Sequence, residues 1–185
     1  MPHIAMLLLA AALALGCASS AWAVPDSFVA SEERVKAAYL YRLLGYVEWP
    51  SGSFASSDAP FVIGVIGAEG VAEELEKVVA GRFVGGRSVT VKTIRSDEAI
   101  GGIHVLFIGQ DERRSLRQLL RSTGNGVLDV TESDGALLWG SMVNFRIDGG
   151  RVRFEIAPDV AQRAGLKMSA HLLGVAIAVI NGIPQ

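Results

Sequence analysis

The sequence predicts an α/β fold: a single layered domain with a mixed, mostly parallel sheet flanked by helices, and with a C-terminal β-hairpin and two closing helices. Short apolar runs at 60–67 and 103–109 alternate along the chain with amphipathic stretches at 71–80 and 111–121. Apolar and polar residues then alternate on both sides of Asp148-Gly149-Gly150, which predicts the hairpin.

The first predicted helix begins at Ser31, a residue type that caps helices, and two acids follow in its first turn. Tyr39, Leu43 and Tyr46 fall at helical spacing on one apolar stripe. We expect Trp49-Pro50 to end the helix, because the residue before proline avoids helical geometry.

The middle of the chain reads as strands separated by helices. The runs at 60–67 and 103–109 are apolar enough for strands covered on both faces. The stretch 87–94 alternates, and 126–130 is a further strand candidate.

Two helices are expected to close the domain. The first spans 158–164 and stops at Gly165, which suits the position after a helix end. The second begins at Ser169 and runs to Ile180. It is apolar nearly all round, which predicts deep burial.

The first 23 residues predict a signal peptide. Residues 4–16 are almost wholly apolar but too short to span a bilayer, and Ala21-Trp22-Ala23 fits a cleavage site. The mature domain would then span 24–185. The alternative is a lipoprotein anchored through Cys17, the sole cysteine of the sequence. Simple cleavage leaves a periplasmic or secreted chain with no thiol and therefore no disulfide.

Composition argues against a nucleic-acid partner. The chain carries 17 Lys and Arg against 19 Asp and Glu, a net charge of −2, and it has no basic tract. About 160 residues remain after cleavage, which suits one domain with a sizeable core.

We predict neither a cofactor nor a metal. The spacing Gly64-x-x-Gly67-x-x-Gly70 differs from the dinucleotide motif, so close packing of a strand on a helix explains it better. His104 and His171 lack a second ligand at metal-binding spacing, and we interpret both as structural.

No catalytic residues are predicted. Ser141 has no G-x-S-x-G frame and precedes a strand instead of following one. Asp129, Glu132 and Asp134 cluster near a turn and could serve acid–base chemistry, but we expect a solvated loop there.

Four residues are candidates for partner binding: Tyr41, Arg42, Arg82 and Arg87. Tyr41 lies about 200° around the helix from Tyr39, so it should lean away from the apolar stripe with Arg42. Arg82 and Arg87 flank a turn built on paired glycines. The alternatives are that Tyr41 packs under a neighbouring loop and that the arginines are simply solvated.

Several ordered segments carry a resemblance to a known family. They are Val35-Lys36-Ala37-Ala38-Tyr39-Leu40, Val47-Glu48-Trp49-Pro50, Phe83-Val84-Gly85-Gly86-Arg87, His104-Val105-Leu106-Phe107-Ile108-Gly109, Met142-Val143-Asn144-Phe145 and Arg151-Val152-Arg153-Phe154-Glu155-Ile156. Together, after a signal peptide, they resemble the YfiR-like family of secreted regulators over about 35–180.

The resemblance implies a non-catalytic periplasmic regulator. It would bind and restrain the sensor domain of an inner-membrane diguanylate cyclase or sensor kinase, in cyclic-di-GMP signalling and biofilm control. An outer-membrane lipoprotein is a possible second partner, and a homodimer is possible. The alternative is a small-ligand-binding or hydrolytic domain that uses the cleft at the carboxyl ends of the strands.

Two departures from the family pattern bear on this reading. Well-known members carry cysteine pairs that respond to redox state, whereas the mature chain here has none. Ala157 stands where the family usually has Asn, so we expect a helix cap or polar contact to be missing there.

Overall fold

The computed structural model describes residues 31–181, and within them one mixed sheet forms the middle layer. The helices are α1 (Glu32–Leu43), α2 (Glu69–Val79), α3 (Leu116–Ser122), α4 (Pro158–Arg163) and α5 (Ala170–Val175). The strands are β1 (Val47–Glu48), β2 (Phe61–Ile66), β3 (Phe83–Val84), β4 (Arg87–Thr93), β5 (Val105–Ile108), β6 (Leu128–Thr131), β7 (Val143–Asp148), β8 (Arg151–Ile156), β9 (Lys167–Met168) and β10 (Ala178–Val179). The predicted α/β class is confirmed. The predicted signal peptide and Cys17 lie outside the described residues.

Eight strands form the main sheet in the order β10-β8-β7-β6-β5-β2-β4-β3. The central strands β4, β2, β5, β6 and β7 run parallel, and β8 and β3 join as antiparallel hairpin partners. β10 pairs parallel with β8 at the sheet edge. β1 and β9 form a separate antiparallel pair.

Helices cover both faces of the sheet. The larger core joins α1 and α2 to the inward side chains of β2, β5, β6, β7 and β8. A smaller core forms under α3 from Leu116, Leu119 and Leu120 against Leu106 and Ile108. Both hairpins turn on paired glycines at positive φ, Gly85-Gly86 and Gly149-Gly150, a conformation that glycine adopts without a Cβ penalty.

The glycines at 64–70 are closely packed, but Gly64 meets Ile94 and Ile103 beside the neighbouring strands instead of the expected helix. A Cβ on Gly64 would lie 2.7 Å from Ile94 Cδ1, so the strand interior has no room for a side chain there. Gly109 lies still closer to the neighbouring loop, since a Cβ there would lie 2.1 Å from the carbonyl oxygen of Gly67. The segment is therefore built for backbone packing.

The predicted end of the first helix is wrong. α1 ends at Leu43, and Gly45 and Tyr46 complete a tight turn whose N–H groups bond back to Arg42 and Leu43. Val47 then pairs with Met168, so a long-range strand pairing takes over before Trp49-Pro50.

The last predicted helix is also wrong in extent and in burial. α5 begins at Ser169 as expected, and the Ser169 side chain accepts a bond from the N–H of Leu172. It ends at Val175, because Ile177 and Ile180 donate their N–H groups to the carbonyls of Phe154 and Ile156 and so extend the sheet. Only Leu172 is fully buried in α5.

Candidate interaction surface

A cluster of exposed apolar side chains lies at the β10 edge of the sheet. Val175, Ile177 and Val179 are between 42% and 53% exposed, and we name these three residues the C-terminal apolar strip. Ile147 is 54% exposed and lies apart from them on β7, beside the strand-end cleft. Val179 lies beside Ile156 in the parallel register, and Ile147 lies opposite Val152. Cross-strand partners share a face, so Val179 and Ile147 lie on the α1 side of the sheet.

α1 covers only part of that face. The Tyr39 ring packs on Phe145 and Phe154, with ring centroids 5.9 Å and 5.6 Å away. Ile177 is two residues before Val179 and shares its face by the alternation of a strand. The apolar strip is thus the part of this face that α1 leaves uncovered at the sheet edge.

Sequence reasoning missed the apolar strip. The alternation of Val175, Ile177 and Val179 could have predicted it, but these residues lie in a segment whose apolar composition suggested a helix. A period of two predicts a strand, whereas continuous apolarity suggested a buried helix.

Three of the four predicted binding residues lie near one another. The Tyr41 hydroxyl donates weakly to the carbonyl of Phe83 at 3.4 Å, and the Arg82 guanidinium lies over the Tyr41 ring at 5.5 Å. Arg42 is exposed on α1. Phe83 itself is 65% exposed. Tyr41, Arg42, Arg82 and Phe83 form what we name the α1–β3 patch.

Arg87 contacts a different part of the chain. Its Nη1 donates to the carbonyls of Ala59 (2.7 Å) and Ser56 (3.0 Å). Its guanidinium stacks on Phe54 at 3.8 Å. These contacts hold the polar loop that precedes β2.

His104 is a structural residue, as predicted. Its Nδ1 accepts from the N–H of Val62 (3.1 Å), so the hydrogen sits on Nε2, which bonds the carbonyl of Ser53 (3.0 Å). The ring stacks on Phe54 with centroids 4.4 Å apart. Burial lowers the pKa of His104, which keeps it neutral. His171 is exposed beside the Tyr46 ring.

The expected solvated acidic loop is wrong for two of its three residues. Asp134 is solvated, but the Glu132 side chain is only 7% exposed and forms an ion pair with Lys36. Asp129 is 4% exposed, and burial raises its pKa to about 8. Both acids lie on β6 or directly after it, where the strand carries them into the interior.

The cleft at the carboxyl ends of β5 and β6 has a volume of about 240 Å³. Glu132 receives the N–H of Gln110 at 2.9 Å, and Lys36 also pairs with Glu32. Burial alone would lower the pKa of Lys36, but its hydrogen bonds with Glu132 and Glu32 outweigh this and raise it. One lysine thus pairs with two carboxylates at the base of the cleft.

A buried polar network crosses the sheet beside this cleft. The Thr131 hydroxyl bonds Asn144 Oδ1 at 2.7 Å and Ser141 Oγ at 2.8 Å, and all three side chains are fully buried. Asn144 Nδ2 then donates to Glu155 at 2.9 Å. Ser141 is thus held within a structural network. Ala157 gives α4 no side-chain cap, as expected.

Two negative observations hold for the described residues, 31–181. No helix there is long and apolar enough to cross a membrane. Within the same range, no group of three or more His, Cys, Asp and Glu side chains could hold a metal ion.

Fold and surface together define a three-layered α/β domain whose distinctive feature is exposed apolar surface at a sheet edge. The YfiR/HmsC-like family model matches residues 33–177, and the chain belongs to that family. Its members are periplasmic regulators of diguanylate cyclases. No curated protein matches the chain.

One solved structure is similar in fold. It is the crystal structure of a conserved domain protein from Vibrio cholerae O1 biovar El Tor strain N16961, with a TM-score of 0.54 and 12% identity. The alignment covers 81% of this chain, and it spans only 60% of the length of the Vibrio protein.

Proposed function

We propose that this protein is a non-catalytic periplasmic regulator that binds and restrains the sensor domain of an inner-membrane signalling protein. Membership of the YfiR/HmsC-like family supports a diguanylate cyclase as that partner, and hence a role in cyclic-di-GMP signalling. The observation that carries the binding role is the C-terminal apolar strip.

Scattered apolar side chains are normal on a protein surface, but a contiguous group at a sheet edge is a feature of interaction sites. Val179 of the strip lies on the edge strand β10, Ile177 lies directly before that strand, and Val175 is the last residue of α5. Within the described residues, the outer side of β10 pairs with no other strand. A partner can therefore cover the apolar side chains and also bond the free strand edge.

The α1–β3 patch remains our second candidate surface. Exposed aromatic and arginine side chains dominate the binding energy of many interfaces, and this patch offers Tyr41, Arg42, Arg82 and Phe83. Arg87 stays a predicted binding residue as well, although its contacts tie it to the loop at 56–59.

The location of the protein follows from the N-terminal segment in this proposal. Export and cleavage after Ala23 would release residues 24–185 into the periplasm, where they can reach a sensor domain. Acylation at Cys17 would instead anchor the same domain to a membrane. N-terminal mass analysis of the exported protein distinguishes the two, since cleavage gives Val24 as the first residue.

Binding to a purified sensor domain tests the proposal. The partner is the periplasmic domain of a diguanylate cyclase encoded beside this protein, measured by biolayer interferometry. We expect the Ile177→Ser, Val179→Ser double variant to bind about tenfold more weakly, because two apolar anchors are lost. Both sites are exposed, so the melting temperature should hardly change.

The matched comparison is the Tyr41→Ala, Arg42→Ala variant on the other surface. A loss confined to the strip variant assigns the interface to the sheet edge. A loss confined to the α1 variant moves it to the α1–β3 patch. Wild-type protein that fails to bind the sensor domain, or to reduce the activity of the full-length cyclase, contradicts the proposed function. Light scattering on the same samples shows whether the strip forms a homodimer instead.

The strand-end cleft is less well supported as a ligand or hydrolytic site. Its volume of about 240 Å³ is below the usual range for ligand pockets. Its buried carboxylate Glu132 already pairs with Lys36 and Gln110.

A further inference from the structure

A second and larger cavity lies at the opposite end of the strands. It is enclosed by the C-terminal part of α3, the 3-10 turn at Ala136–Trp139 and the end of α4, beside the first residues of β6 and β7. Its volume is about 760 Å³, within the range of small-molecule sites. Neither the family match nor the proposed partner binding assigns it a role.

The wall of the cavity is mixed, and one part of it is apolar. Leu120, Met142 and Val160 are buried side chains that line it, and Trp139 lies half-buried at its border. Leu138 also lines the cavity and is 64% exposed. This surface can accept a branched aliphatic group of a ligand.

Asp129 supplies a buried polar group within this apolar surface. It lines the cavity, it is 4% exposed, and its Oδ1 has no hydrogen-bond partner among the described residues. Burial raises the pKa of Asp129, and an interaction of its carboxyl group with the nearby Thr123 hydroxyl partly offsets that rise. The same hydroxyl bonds the carbonyl of Leu119 at 3.0 Å, and Oδ1 of Asp129 stays without a partner within 31–181. A buried acceptor without a donor costs free energy, which a ligand N–H or O–H would recover.

Two arginines bring positive charge to the cavity. Arg117 and Arg121 lie one helical turn apart on α3, and both line the cavity. The Arg117 guanidinium stacks on the Trp139 ring at 4.5 Å, which fixes its position. Neither Arg117 nor Arg121 forms an ion pair with any residue between 31 and 181, so both can pair with an incoming carboxylate. Arg163 and the carboxyl group of Asp129 also line the cavity.

We propose that this cavity binds a small organic carboxylate that also carries an amide N–H and an aliphatic side chain. The carboxylate binds Arg117 and Arg121, whose guanidinium groups match its geometry. The aliphatic group packs on Leu120, Met142 and Val160. The amide N–H donates to Oδ1 of Asp129.

Calorimetric titration with three matched probes tests the ligand class. The probe with every feature is N-acetyl-L-leucine. N-acetyl-L-leucinamide lacks the carboxylate, and 4-methylpentanoate lacks the amide. We expect each of these to bind at least about tenfold more weakly than N-acetyl-L-leucine. The proposal is overturned if N-acetyl-L-leucine shows no saturable binding up to about 10 mM, or if all three probes bind equally.

Variants then test the residues. Arg117→Gln with Arg121→Gln should weaken N-acetyl-L-leucine about tenfold and leave N-acetyl-L-leucinamide unchanged. Arg114→Gln is the matched control, an exposed arginine outside the cavity. An equal loss in the control shows a nonspecific charge effect and rejects the site.

The role of Asp129 needs its own variant. Asp129→Val removes the acceptor, so N-acetyl-L-leucine and 4-methylpentanoate should then bind equally. Should this variant not fold, Asp129→Asn keeps an acceptor oxygen and should retain the preference for N-acetyl-L-leucine. Loss of that preference in a folded Asp129→Asn protein, or its survival in Asp129→Val, refutes the contact.

Discussion

Lys36 on α1 and Glu132 at the end of β6 form a buried ion pair that joins the first helix to the carboxyl edge of the sheet. The two side chains are 9% and 7% exposed. The backbone N–H of Gln110 donates to the other carboxylate oxygen of Glu132 at 2.9 Å. The side-chain Nε2 of Gln110 donates to the backbone carbonyl of Glu132 at 2.7 Å. Residues from α1 and from the ends of β5 and β6 thus share one polar contact.

Replacement of Lys36 by Met should destabilise the protein strongly. Glu132 would then remain buried without its counter-ion, a change that typically costs about 3–5 kcal/mol. Urea unfolding followed by circular dichroism measures the loss. Lys77→Met is the matched control, because the Lys77 side chain is 67% exposed in its pair with Glu74 and should contribute less than about 1 kcal/mol. Equal losses in the two variants would contradict the buried pair.

Asp129 should make stability depend on pH in an unusual direction. Burial raises its pKa from 3.8 to about 8, so the folded chain keeps a proton that the unfolded chain releases. Between these values the folded state binds more protons, and the free energy of unfolding falls as pH rises. The slope from this group is at most about 1.4 kcal/mol per pH unit.

Asp129→Asn removes that contribution while keeping the size of the side chain. We expect its unfolding free energy to vary less with pH than that of the wild type between about pH 5 and pH 7.5. Asp134→Asn serves as the exposed control and should follow the wild-type profile. Parallel profiles for wild type and Asp129→Asn would show that Asp129 is ionised in the folded state.

Gly109 should not tolerate a side chain. A Cβ there would lie 2.1 Å from the carbonyl oxygen of Gly67 and 2.6 Å from Ala68 Cβ. Both neighbours belong to the β2–α2 connection, and backbone cannot yield cheaply, so Gly109→Ala should cost at least about 2 kcal/mol. Gly101→Ala is the control, with nothing within 4 Å of its added Cβ, and it should change stability by less than about 0.5 kcal/mol. Thermal unfolding of both variants measures the difference.

The sequence was most informative where local pattern and tertiary structure agree. The runs at 60–67 and 103–109 became β2 and β5, and the Asp148-Gly149-Gly150 turn joins β7 to β8. It was least informative where distant pairing decides the structure. Val47 follows the first predicted helix but pairs with Met168 in a strand. Ile177 lies in the last predicted helix but donates its N–H to the carbonyl of Phe154. The residues around Val47 and Ile177 in the sequence do not indicate these distant partners.

The burial of charged side chains was the second feature that could not be predicted from the sequence. Asp129 falls within the strand expected at 126–130, but the pattern does not show that its side chain is buried. Glu132 follows in a short polar stretch typical of a loop, where no local feature distinguishes it from Asp134. The burial of Asp129 and Glu132 depends on Lys36, about a hundred residues away, and on the packing of α3. The ion pair between a lysine on an apolar helix face and a distant acid can be recognised only once the three-dimensional structure is known.

The predicted binding residues should separate into two groups on substitution. Arg87→Met loses two charged hydrogen bonds to carbonyl groups and the stack on Phe54, and should cost about 1–3 kcal/mol of stability. Tyr41→Ala with Arg42→Ala loses a 3.4 Å hydrogen bond, the contact with Arg82 and the packing of the half-buried Tyr41 ring against the core, so we expect a small fall in its melting temperature.

The variant with the larger loss of affinity should not be the one with the larger loss of stability. If the α1–β3 patch contributes to the interface, Tyr41→Ala with Arg42→Ala weakens binding to the sensor domain by ~1–3 kcal/mol without unfolding. Arg87→Met tests the fourth predicted residue: a loss of affinity well below its melting temperature retains Arg87 in the interface, whereas a loss only near that temperature assigns Arg87 to the stability of the domain through its internal contacts. Interferometry at 15 °C and at a temperature close to unfolding separates the two effects. Unchanged affinity of the folded Tyr41 and Arg42 variant would remove α1 from the interface and leave the sheet edge as its site.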